Sequence, residues 1–181
     1  MNKRLTDEEL VASIRVVPDF PVEGIQFFDV TTLFKDPAAY AEVLERICEL
    51  YRDKGITKVA GIESRGFIAG AAVADRLGAG FVPIRKPGKL PAETVSESYA
   101  KEYGSDTIEI HADAIGPDDV VLVHDDILAT GGTAAAAVSL VRKFNPKAVY
   151  VNFIIDIVDV PSVGMIPADV PVDSLLKLSE R

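Results

Sequence analysis

The chain has 181 residues, a single cysteine and a formal charge of −9, from 19 basic and 28 acidic side chains. That length fits one domain over residues 1–181, able to bury roughly 70% of its unfolded surface without a disulfide or structural metal. The acidic balance argues against a broad nucleic-acid surface. No apolar run approaches the ~18 residues of a membrane helix, and the polar start from Met1 to Glu9 together with the lone Cys48 points to a reducing, cytoplasmic setting.

Thr6 and Glu9 have the spacing of a capping box and open a short amphipathic helix over about Asp7 to Arg15. Asp19 to Gly24 is a loop, and the apolar Ile25 to Val30 turns at Asp29. Asp36-Pro37 is an N-cap followed by proline at the first helical position, and Tyr40, Val43, Leu44, Ile47 and Leu50 then recur at helical spacing until Gly55. Cys48 lies beside that apolar face and is expected in the core. Thr57 to Ile62 reads as a strand, Gly66 to Ala79 as a helix of small residues and Phe81 to Ile84 as a second strand. Val120 to Val123 is the central strand, Thr133 to Phe144 the next helix and Ala148 to Ile155 a further strand. This alternation predicts an α/β fold, doubly wound, with a mainly parallel sheet flanked by helices. Thr94 to Tyr103 and Thr107 to His111 flank Gly104-Ser105 as a flexible β-hairpin lid would. The ending, with a short strand near Ser174 to Leu178, is expected to cap the cleft from another side.

Chemistry concentrates in Val121 to Thr133. An apolar strand runs into Asp125-Asp126, then into the loop Ala129-Thr130-Gly131-Gly132-Thr133 and a helix of alanines. Such a loop can wrap a phosphate with backbone amides and the hydroxyls of Thr130 and Thr133, with the helix N-terminus facing the anion. It has neither the GxGxxG of a dinucleotide site nor a lysine after the glycines. Two adjacent carboxylates are costly to ionise together, so they call for ligand hydroxyls, solvent or a cation. Arg65, after one strand, and Arg85, Lys86 and Lys89, after another, can together form a positive cleft in an acidic protein. Two anion sites around hydroxyl-binding acids fit a sugar carrying phosphate at both ends. A phosphoribosyl pyrophosphate meets those requirements, with magnesium as the hard cation suited to a diphosphate. No His/Cys cluster supports zinc.

On these residues the chain resembles the adenine-specific branch of the type I, or purine/pyrimidine, phosphoribosyltransferase family. Val121 to Thr133 resembles the phosphoribosyl-pyrophosphate motif of the wider class. Phe20 to Phe27, Gly61 to Phe67, Arg85 to Pro91 and Ser98 to Gly104 resemble motifs of the adenine branch. The resemblance implies a transferase of purine salvage that converts adenine and 5-phosphoribosyl 1-pyrophosphate to AMP and pyrophosphate. It implies Mg2+ held mainly by pyrophosphate, ribose hydroxyls and water, and a homodimer with no nucleic-acid or membrane partner. It assigns Phe27 to stack on adenine, with backbone groups around Gln26 and Phe28 reading the base edge. Arg65 and Lys89 would hold pyrophosphate with Arg85 nearby, and Asp125 and Asp126 would hold the ribose hydroxyls. Ala129, Thr130, Gly131, Gly132 and Thr133 would bind the 5′-phosphate, Glu102 would act at the imidazole edge of the base and Tyr103 would cover the site.

Phe28 stands where the family often has arginine, and His124 where an aliphatic residue is common. His124 is expected to be a satisfied structural histidine and His111 to be exposed. Two alternatives remain at this point. A non-catalytic nucleotide-responsive regulator would share the phosphate loop but should add a basic face or a DNA-binding domain. An enzyme for hypoxanthine, guanine or xanthine would share everything except the base contacts.

Overall fold

The structure is a computed structural model, and it describes residues 4–100, 104–160 and 165–179. Helix α1 spans Asp7–Ala12 with both halves of the Thr6/Glu9 capping box formed. It is shorter than the sequence pattern predicts, because Arg15 is taken into strand β1 (Arg15–Pro18). Strand β1 pairs antiparallel with β2 (Gln26–Asp29) as a separate two-stranded ribbon. A short turn of helix, α2 (Thr31–Phe34), leads into α3 (Pro37–Tyr51), where the Asp36 carboxylate accepts from the amides of Ala38 and Ala39. Cys48 is buried on α3, as its position beside the apolar face predicts, and burial pushes its thiol pKa up.

The central sheet is built from β3 (Lys58–Ile62), β4 (Gly80–Ile84), β7 (Val120–Leu128), β8 (Ala148–Ile157) and β9 (Val172–Leu178) in the order β4-β3-β7-β8-β9, and every pairing is parallel. Helix α4 (Gly66–Leu77) follows β3, and α5 (Gly132–Arg142) follows β7. The chain leaves β3 toward β4 on one side, and β7 starts the run toward β9 on the other. The loops after β3 and β7 therefore flank the point where the winding reverses, the usual ligand crevice of an open parallel sheet. One core cluster packs α3 and α4 on the sheet; the other packs α5 and a second antiparallel ribbon, β5 (Thr94–Ala100) with β6 (Ser105–His111).

Four predicted features change. Strand β7 continues to Leu128 and so contains both aspartates, because pairing with β8 persists beyond the apolar stretch. The tail does not simply cap the cleft; β9 is the sheet edge, hydrogen-bonded along β8. The β5–β6 ribbon is not a free projection either. Ile108 and Ile110 of β6 are buried in the second core, and Arg85 and Glu109 exchange backbone hydrogen bonds of 2.9 and 2.7 Å. His111 is half-buried rather than exposed, with its Nε2 enclosed.

Candidate active site

Helix α4 crosses β7 so closely that a Cβ on Gly66 would lie 2.7 Å from the His124 carbonyl oxygen and 3.1 Å from Asp125 Oδ1. Only glycine permits this approach, and it brings the start of α4 against the two aspartates. As neighbours on a strand they address different surroundings. Asp126 is buried, with its carboxylate ion-paired to Arg65 at the N-cap of α4. Asp125 accepts the Asp126 amide at 2.9 Å and lines two cavities. Burial, reinforced by the charge of Asp126, holds the Asp125 carboxyl well above the usual carboxylate range.

The first cavity, about 110 Å³, is formed by Asp125 with Ile127 to Ala134 and Phe153. Gly131 takes φ +80° as N-cap of α5, the left-handed conformation that lets the loop turn its amides inward. Gly132 needs no such conformation: a Cβ there would meet only Met165 Sδ and Tyr99 Cδ2 at 3.8 Å and Thr130 Oγ1 at 4.0 Å. Ala129 and Thr130 are exposed at the mouth.

The second cavity, about 150 Å³, joins Asp125 and Thr133 to Glu63, Arg85, Lys86 and Tyr99. Arg85 reaches Glu63 through Nε and Nη2, each at 3.3 Å, and donates from Nη1 to the Lys89 carbonyl at 3.0 Å. The Glu63 carboxylate also accepts the Lys86 amide at 2.9 Å, which, with Arg85, lowers its pKa. Lys86 forms an ion pair with Asp106 of β6, and Lys89 is exposed. The predicted positive cleft is thus partly neutralised from within: Arg65, Arg85 and Lys86 each have a carboxylate partner. Tyr99 closes the gap between the cavities, its hydroxyl 2.9 Å from Thr133 Oγ1 and 3.3 Å from Asp106 Oδ2.

Phe27 stands beside this region. The Phe20 ring meets it edge-on at 5.1 Å, and the Arg65 guanidinium lies 5.7 Å from its centroid. Arg65 therefore touches both the proposed base residue and the proposed ribose acid. Gln26 is half-buried, whereas the Phe28 side chain enters the core, leaving its backbone to face β1. His124 is only half-satisfied: Nδ1 is 3.1 Å from Asn152 Oδ1, while buried Nε2 has no hydrogen-bond partner among the described residues. Glu102 and Tyr103 lie outside the described residues.

The structure thus gathers Arg65, Arg85, Asp125, Asp126 and the Ala129–Thr133 loop at one rim. Sequence reasoning missed Glu63, Tyr99 and Asp106 as site residues. Glu63 was legible only as part of the Glu63-Ser64-Arg65 segment, and nothing local in Asp106 or Tyr99 points to a partner 20 or 34 residues away. Among the described residues no group of three or more His, Cys, Asp or Glu could hold a metal ion.

The phosphoribosyl transferase domain model matches residues 29–159. The chain is 60% identical over 174 residues to the adenine phosphoribosyltransferase of Bacteroides thetaiotaomicron, covering 96% of this chain and 99% of that one. The crystal structure of adenine phosphoribosyltransferase from Rhodothermus marinus superposes with a TM-score of 0.90 at 49% identity, covering 95% and 98% of the two chains. That of the Saccharomyces cerevisiae enzyme, complexed with D-2,5-dideoxy-2,5-imino-altritol 1,6-bisphosphate and adenine, gives 0.87 at 38% identity, covering 94% and 98%. The chain therefore belongs to the phosphoribosyltransferase family, and its place is among the adenine phosphoribosyltransferases.

Proposed function

We propose that the residues of this cleft divide the work of one reaction, the conversion of adenine and 5-phosphoribosyl 1-pyrophosphate to AMP and pyrophosphate. The observation that carries the assignment is the position of Asp125. It lines both the cavity of the phosphate loop and the cavity of the Arg85-Lys86 segment. A ligand with anions at both ends and hydroxyls between them spans that arrangement. The bisphosphate and adenine held by the yeast relative have the same general chemistry.

The 5′-phosphate takes the amides of Ala129 to Gly132 and the hydroxyls of Thr130 and Thr133. Asp125 and Asp126 accept from the ribose hydroxyls. Arg65, Arg85 and Lys89 receive the pyrophosphate. Phe27 stacks on adenine, the backbone at Gln26 and Phe28 reads its edge, and Glu102 and Tyr103 are assigned from the resemblance to the imidazole edge and the cover. Magnesium would be held mainly by the diphosphate, the ribose hydroxyls and water, with Asp125 and Asp126 at those hydroxyls, and would supply positive charge to the leaving group. As the bond from C1 to pyrophosphate breaks, positive charge develops on the ribose. Arg65, Arg85 and Lys89 stabilise the departing oxygens, while Phe27 and the phosphate loop hold adenine N9 and C1 in line for inversion; the N9–C1 bond forms as adenine gives up its imidazole proton at the edge assigned to Glu102, to that carboxylate or to solvent.

No helix among the described residues is long and apolar enough to cross a membrane. A reducing, cytoplasmic setting rests on the lone buried cysteine, and the homodimer rests on the family resemblance. The direct test is turnover with the diphosphate donor, magnesium and each purine separately. Adenine should be preferred over hypoxanthine by at least ~100-fold, since each mismatched polar contact costs roughly 1–3 kcal/mol. Equal turnover of hypoxanthine would sink the base assignment, and absence of turnover with every purine would favour a regulator.

A further inference from the structure

We propose that Tyr99 is a positioning residue for the donor, one that aims the Thr133 proton at the 5′-phosphate. The inference rests on the assignment of that phosphate to the Ala129–Thr133 loop. Tyr99 is not simply part of the hairpin surface. Its hydroxyl is 2.9 Å from Thr133 Oγ1, it lines the cavity that Thr133 shares with Asp125, and its ring passes 3.8 Å from the Cβ position of Gly132. Lys143 of the segment after α5 holds the same strand from outside, donating to the Ser96 carbonyl and pairing with Glu97, each at 2.6 Å. Strand β5 is therefore seated on α5 at two points, and Tyr99 is placed from its own element as well as by Thr133.

A threonine hydroxyl has one proton and two lone pairs, so it can donate once. Beside an anion with no protons to give, its useful state is as donor to the phosphate. When the Tyr99 O–H donates into Thr133 Oγ1, that state is selected. The Thr133 proton is turned away from Tyr99, and the chain Tyr99 O–H to Thr133 O–H to phosphate is polarised in one direction. Before phosphate binds, the Tyr99 proton has a second acceptor, the Asp106 carboxylate at 3.3 Å, which also receives the Lys86 ammonium. Filling the phosphate loop draws the tyrosine proton toward Thr133. The same side chain thereby ties the hairpin to the loop holding one end of the donor.

The test is a double-mutant cycle read by calorimetric binding of ribose 5-phosphate, with pyrophosphate as the second ligand and thermal melts to verify folding. Tyr99→Phe keeps the ring and its packing and removes only the hydroxyl. It should weaken ribose 5-phosphate by about 3- to 10-fold. Thr133→Val should weaken it as well. In the Thr133→Val background, Tyr99→Phe should cost nothing further, because the proton it aims is gone. Retained ribose 5-phosphate affinity in folded Tyr99→Phe, or a loss of the same size in both backgrounds, would overturn the role of Tyr99 while leaving the loop assignment intact. Unchanged affinity in Thr133→Val would overturn the loop assignment itself, and the Tyr99 inference with it. A Tyr99→Phe defect confined to pyrophosphate would also overturn the proposal, assigning the hydroxyl to Asp106 and Lys86 instead.

Discussion

Asp125 and Asp126 are adjacent in sequence, yet the fold treats them differently. Asp126 has an arginine partner, whereas Asp125 is held above the usual carboxylate range by burial and by its neighbour. A raised acid pKa favours the folded state when the group is protonated; that contribution is lost as pH rises through the folded value. At neutral pH, above the range where an unfolded aspartate ionises, Asp125 therefore lowers the stability of the empty protein. Asp125→Asn should raise the melting temperature at pH 7 by a few degrees, corresponding to ~0.5–2 kcal/mol, with the gain disappearing in acid. The same change should weaken the donor roughly 10- to 150-fold by loss of charge-assisted hydrogen bonds. A variant that melts lower at pH 7, or binds the donor normally, would contradict this. Gly131 gives a second residue-scale test. With φ +80°, Gly131→Ala should lose ~1–2 kcal/mol of stability or an equivalent part of ribose 5-phosphate affinity, whereas Gly132→Ala should leave stability within ~0.5 kcal/mol. Equal melting and binding of the two variants would remove the special role of Gly131. The sequence named both glycines as loop residues, but which one turns left-handed depends on how α5 is entered.

Among the elements, α4 sets the site more than any other because its first residue touches β7. In Gly66→Ala the new methyl would meet a strand carbonyl at 2.7 Å, and backbone cannot rotate away as a side chain can. Overpacking of this kind typically costs 1–3 kcal/mol. The helix must move out, taking Arg65 from Asp126, so catalytic efficiency should fall by more than the stability loss alone implies. Melting curves and kcat/KM measured on the same preparation check this, and wild-type efficiency in a folded variant would refute it. Helix starts were legible because caps are local: Thr6 with Glu9, and Asp36 with Pro37, carry their own geometry. The length of β7 was not. Periodicity reads polarity, and a strand that keeps its ladder while presenting carboxylates to a crevice looks like a strand that has ended. The ion pairs of Lys86 with Asp106 and Arg85 with Glu63 were hidden for another reason. They join segments 20 and 22 residues apart: the docking of β6 beside the loop after β4 brings Asp106 to Lys86, and the parallel register of β3 and β4, with Ile62 opposite Ile84, brings Glu63 to Arg85.

At the scale of the whole molecule, two buried titrating groups on β7 oppose one another. His124 lies behind the carboxylates, wholly enclosed, and burial lowers its pKa from 6.5 to about 4 against the pull of Asn152 and the Asp126 charge. The unfolded chain takes up a proton near pH 6.5 that the folded protein refuses until about pH 4. Stability from this group is therefore fully present above pH 6.5, falls as pH drops through the interval, and is reduced by up to ~3 kcal/mol below it. Asp125 gives the reverse slope, while carboxylates with lowered pKa, Glu63 and Asp29 among them, add to the loss in acid. His124→Leu isolates one side. Its absolute stability reflects repacking against Asn152, but its pH dependence does not. The expected result is a flatter fall in melting temperature between pH 6.5 and 4.5 than in the wild type, whatever the height of the curve. Placing an aliphatic residue here would thus remove an acid liability beneath the site without touching the donor-binding residues. Equal slopes in the two proteins would mean that His124 accepts its proton in the folded state, with the enclosed Nε2 finding a partner as it does so.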